Sequence, residues 1–251
     1  DLMARLATLR VAANGGGCYT IQFDDSITSP AVIPAGGPYD MTDVTWEGDQ
    51  TGFGAVISIA NGATFTGLRT FSGAMNITNN NTVTPAVSDL ASGDIVYIHG
   101  ATLDTVGGGV AFYDMTAAGA AAFFLVQIFE SAQIGFAAAG PVFNVPTATQ
   151  TLFIVKEGVS SIGDAAVLVG AAGTTLSIAT SSLQSLQTVF ANWAGTISAP
   201  RLDIPPSLLP VPYLTAPSAA GTVASGASQW LRKNAGAGAF SQTLPKISTA
   251  T

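Results

Sequence analysis

The chain has 251 residues, a formal net charge of −7, 48% hydrophobic residues and only 9% charged ones. That hydrophobic share supports a substantial core and excludes wholesale disorder, while eight Lys and Arg against fifteen Asp and Glu exclude a phosphate-neutralising nucleic-acid surface. A single cysteine, Cys18, forbids an internal disulfide framework, and the start at Asp1 reads as an ordered fragment or a processed product.

Residues 1–17, DLMARLATLRVAANGGG, place Leu2, Leu6, Leu9 and Ala13 at alternating spacings of four and three, with Gly15 to Gly17 ending the helix. This is the a/d spacing of a coiled-coil seam. Two readings stand: a trimeric coiled coil whose oligomer interface is Leu2, Leu6 and Leu9, or an amphipathic helix capping one end of the domain.

Residues 18–52 read as an N-terminal β cap, with short runs at 19–23, 31–33 and 44–46 cut by Pro and Gly. Six of the fifteen acidic residues fall here: Asp24, Asp25, Asp40, Asp43, Glu47 and Asp49. Asp40, Asp43 and Asp49 have the chemistry to share a calcium ion, but a solvated cap is the better reading, so no metal site is expected.

Residues 53–204 carry a repeat. The aliphatic centres Ile59, Ile77, Ile98, Ile128, Ile154, Ile178 and Ile197 follow one another at 18 to 30 residues, the length of a solenoid coil built from two or three short strands. The expectation is an all-β right-handed parallel β-helix of six or seven coils. Alternation within residues 55–81 points Ile57, Ile59, Ala63, Phe65, Leu68, Phe71, Met75 and Ile77 inward and Ser58, Thr64, Thr66, Asn76 and Thr78 outward. Asn79, Asn80 and Asn81 read as a plain polar loop in preference to an amide ladder. The longest apolar run, 117–129, is shorter than the ~20 residues a bilayer span requires and is interrupted by Gln127, so no membrane insertion is expected.

Residues 205–251 begin with Pro205, Pro206, Pro210, Pro212 and Pro217, which cannot sit in central strands. They read as a Pro-rich linker and an extended C-terminal arm. Its apolar anchors are Trp230, Leu231, Phe240 and Leu244, and Arg232, Lys233 and Lys246 give it three of the eight basic residues.

Motifs for chemistry are sparse. One His and one Cys exclude structural zinc, and neither a phosphate-binding loop nor a dinucleotide fingerprint occurs, so no cofactor is expected. His99 follows Ile98 and should point away from the core, without a second His or a nucleophile to complete a triad. Polysaccharide cleavage would need a pair of carboxylates, for which Asp89, Asp94, Asp104, Asp114, Glu130, Glu157 and Asp164 are the candidates. No two recur at one coil offset, no charge occurs over 165–200, and Trp193 is the solenoid's lone Trp beyond the cap. The reading is therefore a non-enzymatic chain with no catalytic residue.

The segment VIPAGGPYDMTDVTWEGD, residues 32–49, resembles the opening segment of pectate-lyase-like right-handed β-helices, with an apolar strand, a Pro-Gly turn, a Tyr and a strand ending in Trp and Gly. The following ISIANGATFTGLRTFSGAMNITNNN is similar to early coils of β-helical bacteriophage fibre and spike proteins. The resemblance covers about residues 19–204 and lacks the acidic or Lys/Arg cluster of enzymatic members. It implies a structural protein of a phage virion: a homotrimeric fibre, spike or head decoration on the particle surface, contacting other virion proteins and host surface polysaccharide. A depolymerising tailspike and a bacterial surface adhesin are the alternatives. A Ser, Thr, Gln and Ala surface agrees independently, because it suits packing against identical copies, where each charge removed from water would cost energy.

Overall fold

The computed structural model describes residues 17–24, 30–48, 54–135, 140–157, 161–163, 167–180 and 192–202, together with residues 5, 6, 8 and 9 and three short strands, Thr222–Val223, Arg232–Lys233 and Phe240–Ser241. An alternating strand needs a cover for its apolar face and a neighbour for its backbone groups. The chain meets both needs by coiling, so that each strand pairs in parallel with those one coil before and after it.

Three ladders result. Side one stacks Tyr19–Phe23, Val44–Gly48, the first parts of Thr70–Asn79 and Ile95–Thr105, Phe123–Phe129, Thr151–Lys156, Thr175–Thr180, Thr196–Leu202 and Thr222–Val223. Side two stacks Ala31–Ile33, Ala55–Ile59, the second parts of the same two long strands, Gln133–Ile134 and Ser161–Ile162. Side three stacks Gly36–Asp40 on Ala63–Thr66, then Tyr113–Asp114, Phe143–Val145 and Leu168–Gly170, with Val87 and Trp193 joining through single bridges. Among the described residues the three sides stack as about five turns of parallel β-solenoid. The parallel ladder begins at Tyr19 and takes in Thr222–Val223, so strands on both flanks of the 53–204 interval share it.

The coil length varies: partners are 25 residues apart at Tyr19 and Val44, 30 at Ile98 and Ile128, and 21 at Thr175 and Thr196. This corrects the reading of the aliphatic centres. Ile59 and Ile77 lie on side two, where Ile57 pairs with Ile77, whereas Ile98, Ile128, Ile154, Ile178 and Ile197 lie on side one. The shortest step, 18 residues, joins Ile59 to Ile77, which are two positions out of register, so even intervals concealed unequal coils. The count of about five turns replaces six or seven.

Inside the solenoid the alternation reads as expected. All of Ile57, Ile59, Ala63, Phe65, Leu68, Phe71, Met75 and Ile77 are buried, while Ser58, Thr64, Thr66, Asn76 and Thr78 are half-buried or exposed. Aliphatic side chains stack coil on coil, as at Val96, Val126, Ile154 and Ile178. Towards the N-terminal end an aromatic group fills the lumen, with Trp46 edge-on to Phe65 at 5.5 Å and to Phe71 at 5.9 Å. Such edge-to-face pairs add about 0.5–1.5 kcal/mol each beyond their burial.

In two successive coils the bend from side one to side two is made at a glycine. Gly73 and Gly100 have φ of 77° and 73° and stack on each other, and a Cβ added at Gly100 would lie 3.2 Å from the Gly73 carbonyl. A side chain there would meet both the left-handed backbone and the neighbouring coil.

Candidate functional site

A polar concave region lies where side three turns into side one. Three successive corners, residues 42–44, 67–69 and 89–94, stack around a cavity of about 580 Å³ lined by Cys18, Asp43, Gly67, Arg69, Asp89 and Asp94 among others. Arg69 is its centre. Its Nη1 donates to Asp89 Oδ1 at 3.1 Å, its Nη2 to Asp94 Oδ2 at 3.0 Å and its Nε to the same oxygen at 3.2 Å. The carboxylates also serve the backbone: Asp89 Oδ2 accepts from the Gly67 N–H at 2.7 Å, and Asp94 Oδ2 from the Ala91 N–H at 2.9 Å.

Burial alone would lower the Arg69 pKa, but the hydrogen bond and charge of Asp89, aided by Asp94, outweigh it and raise it further. The guanidinium is thus a permanent cation. Beneath the corner, the Tyr113 hydroxyl donates to the Leu68 carbonyl at 3.0 Å, and burial pushes its phenol well above the ordinary tyrosine range. The arrangement ties two neighbouring corners together through one cation. Sequence reasoning passed over Arg69, although a signal existed: its partners lie 20 and 25 residues downstream, close to one coil.

The other candidate carboxylates are dispersed. Asp114 accepts from the Thr116 N–H at 2.8 Å and from Asn144 Nδ2 at 2.7 Å, its ladder neighbour one coil on. Asp104 is buried at 4% exposure on side two, whereas Glu130 and Glu157 are exposed. Asp40 accepts from the Thr42 N–H at 2.9 Å. Among the described residues no three His, Cys, Asp or Glu side chains converge as a metal-binding group. Asp49 and Asp164 lie outside the described residues.

The asparagines at 79–81 differ from the loop expected of them. Asn79 and Asn81 are fully buried, and Asn81 Oδ1 accepts from the Gly62 N–H at 2.6 Å while its Nδ2 donates to the Ala63 carbonyl at 2.9 Å. Asn79 Oδ1 accepts from Asn81 Nδ2 at 2.8 Å, and Asn79 Nδ2 reaches the Val110 carbonyl of the next coil at 3.1 Å. These amides replace water at a corner that stacking has sealed. Gln150 does the same in a later coil, donating to the Met115 and Gly119 carbonyls, each at 2.8 Å.

Of the oligomer residues, Leu6 is buried within the chain's own core and Leu9 is 46% exposed; both line a cavity of about 460 Å³ over strand Tyr19–Phe23. Leu2 lies outside the described residues, as do the arm anchors Trp230, Leu231 and Leu244. Phe240 falls in the strand Phe240–Ser241, whose backbone pairs antiparallel with Arg232–Lys233. Trp193 is fully buried and packed on Gly170, so it is withdrawn from any sugar-stacking surface.

His99 does point outward, between Tyr97 at 6.0 Å and Phe129 at 5.1 Å. It belongs to an outer face that the sequence reading missed. Phe123–Phe129, FFLVQIF, is apolar on both of its faces apart from Gln127. Inward residues fill the lumen, while Phe123, Leu125 and Phe129 join Ile95, Tyr97, Phe153 and Val155 on the outside of side one. A strand apolar on both faces is the pattern of a sheet covered on both faces. No protein-family model, curated protein or solved structure matches this chain.

Proposed function

We propose that this chain is a non-enzymatic structural component of a bacteriophage virion, a trimeric β-helical fibre, spike or head decoration that meets other virion proteins and host surface polysaccharide. The phage assignment rests on the likeness of residues 19–204 to β-helical fibre and spike proteins, with which a parallel solenoid agrees.

The observation that carries the non-enzymatic reading is the employment of the carboxylates. Asp89 and Asp94 neutralise Arg69 and hold backbone N–H groups, and Asp114 joins Asn144 to the start of a turn. These groups fasten coils. Hydrolysis of a glycosidic bond instead asks for two carboxyl groups facing each other across a substrate, one held protonated.

The test is incubation of the full chain with host capsule or envelope glycan. This reading expects binding without release of oligosaccharide. Release that disappears in Asp104→Asn or Asp114→Asn would replace it with the depolymerising tailspike.

A further inference from the structure

We infer that the outer face of side one, centred on Phe129 and Phe153, is the surface on which a second copy of this chain packs. The inference deepens the structural reading above and rests on its claim that several copies assemble. It assigns the contact to a sheet face, which the N-terminal leucine spacing does not indicate.

The face is built by register. Ile95, Leu125, Phe153 and Ser177 form one outward row, Tyr97, Gln127, Val155 and Ala179 the next, and His99 stands beside Phe129. Phe123, 43% exposed, lies 6.3 Å from the Phe153 ring. Below the aromatic rows the outward residues become Thr70 and Ser72, and above them Thr175 and Ser177. An apolar centre rimmed by hydroxyls is the layout of a protein interface.

Side two is a control within the same chain. Its outward positions over the same coils include Asn76, Thr78, Thr102 and Gln133. The aromatic character of side one is therefore local and does not follow from the solenoid alone.

Charge and area favour a second copy as occupant. Each chain carries −7, so two copies approach most readily through a region without charge, and none occurs among these outward rows between Thr70 and Ala179. Five strands at ~4.8 Å spacing and ~20 Å length give a footprint on the order of 500 Å² per copy, or about 1,000 Å² for two, which meets the lower bound for a specific interface. His99 Nε2 is buried among the rings with no hydrogen-bond partner in the single chain. Gln127, half-buried on the same face, supplies a polar group that a facing copy can engage.

The experiment compares sedimentation of the full chain with that of Phe129→Asp and Phe153→Asp, using Asn76→Asp on side two as the control. The inference expects an assembly for the parent and the control, and single chains with unchanged circular dichroism for both Phe variants. Where a Phe variant fails to fold, Gln127→Cys in a Cys18→Ser background gives a second readout. Its thiol should be shielded from maleimide at high protein concentration and become reactive on dilution. An assembly that survives both Phe variants overturns this inference and leaves the assembled reading standing. A parent that sediments as a single chain overturns both. Shielding that does not change on dilution means the chain's own residues cover the face, and overturns the inference as well.

Discussion

Arg69 and Asp89, twenty residues apart in sequence, meet at 3.1 Å because one coil of the solenoid separates them, and Asp94 closes the same cation from its other side at 3.0 Å. Their side chains are 18% to 32% exposed, so the pairing is weaker than a fully enclosed one and stronger than a surface pair. Arg69→Ala leaves two carboxylates crowded at one corner and should cost about 1–3 kcal/mol. A urea unfolding curve shows this as a lower midpoint with an unchanged slope. Asp89→Asn retains an acceptor for the Gly67 N–H and should cost less.

The buried corner amides give a second prediction. Asn81→Ala removes an acceptor from Gly62 and a donor from Ala63 and Asn79 in a site sealed from water. The expected loss is about 2–4 kcal/mol, since each orphaned buried group costs about 1–3 kcal/mol. Asn76→Ala, at an exposed outward position, should stay within about 0.5 kcal/mol of the parent. Thermal melts of the two variants would separate them.

These examples show what the sequence reveals and what it hides. Alternation exposes the inward set from Ile57 to Ile77, because burial of one strand face is a property of each strand by itself. Corner chemistry is hidden: Asn81 looks like any polar loop residue until a coil is laid over it. Arg69 with Asp94 and Asp114 with Asn144 are separated by 25 and 30 residues, so polar pairs at one coil length are the detectable trace. The outer face of side one escaped for another reason. In a continuous run such as FFLVQIF, composition does not tell lumen from exterior; only the register of Phe124, Val126 and Ile128 against the neighbouring strands does.

Tyr113 should produce a pH signature. Burial raises its phenol pKa in the folded chain, so between the ordinary value of ~10 and that higher value the folded chain holds a proton the unfolded one has lost. Its contribution to stability is complete below pH ~10 and declines as pH rises beyond it. Tyr113→Phe, which loses the bond to the Leu68 carbonyl, should be less stable at neutral pH by about 1–3 kcal/mol. The gap should narrow above pH 10. Parallel unfolding curves at pH 7.5 and 10.5, or nearby values, check the sign.

Residues 205–251 are proposed to dock on a neighbouring subunit or virion protein. Thr222–Val223 joins the side-one ladder; the five prolines of 205–217 favour an extended chain, and Trp230, Leu231, Phe240 and Leu244 are too few to form a core alone. Truncation after Pro206 should abolish assembly or lower the melting temperature, and Trp230→Ala should reproduce much of the loss. A truncated chain with the parent's mass and melting temperature would show a passive tail.

The central claim is that this solenoid is a building unit whose working form contains several copies of itself. Analytical ultracentrifugation of the full chain at micromolar concentration tests it most directly. The account predicts a single stable species with the mass of three chains. A stable monomer at that concentration would contradict it.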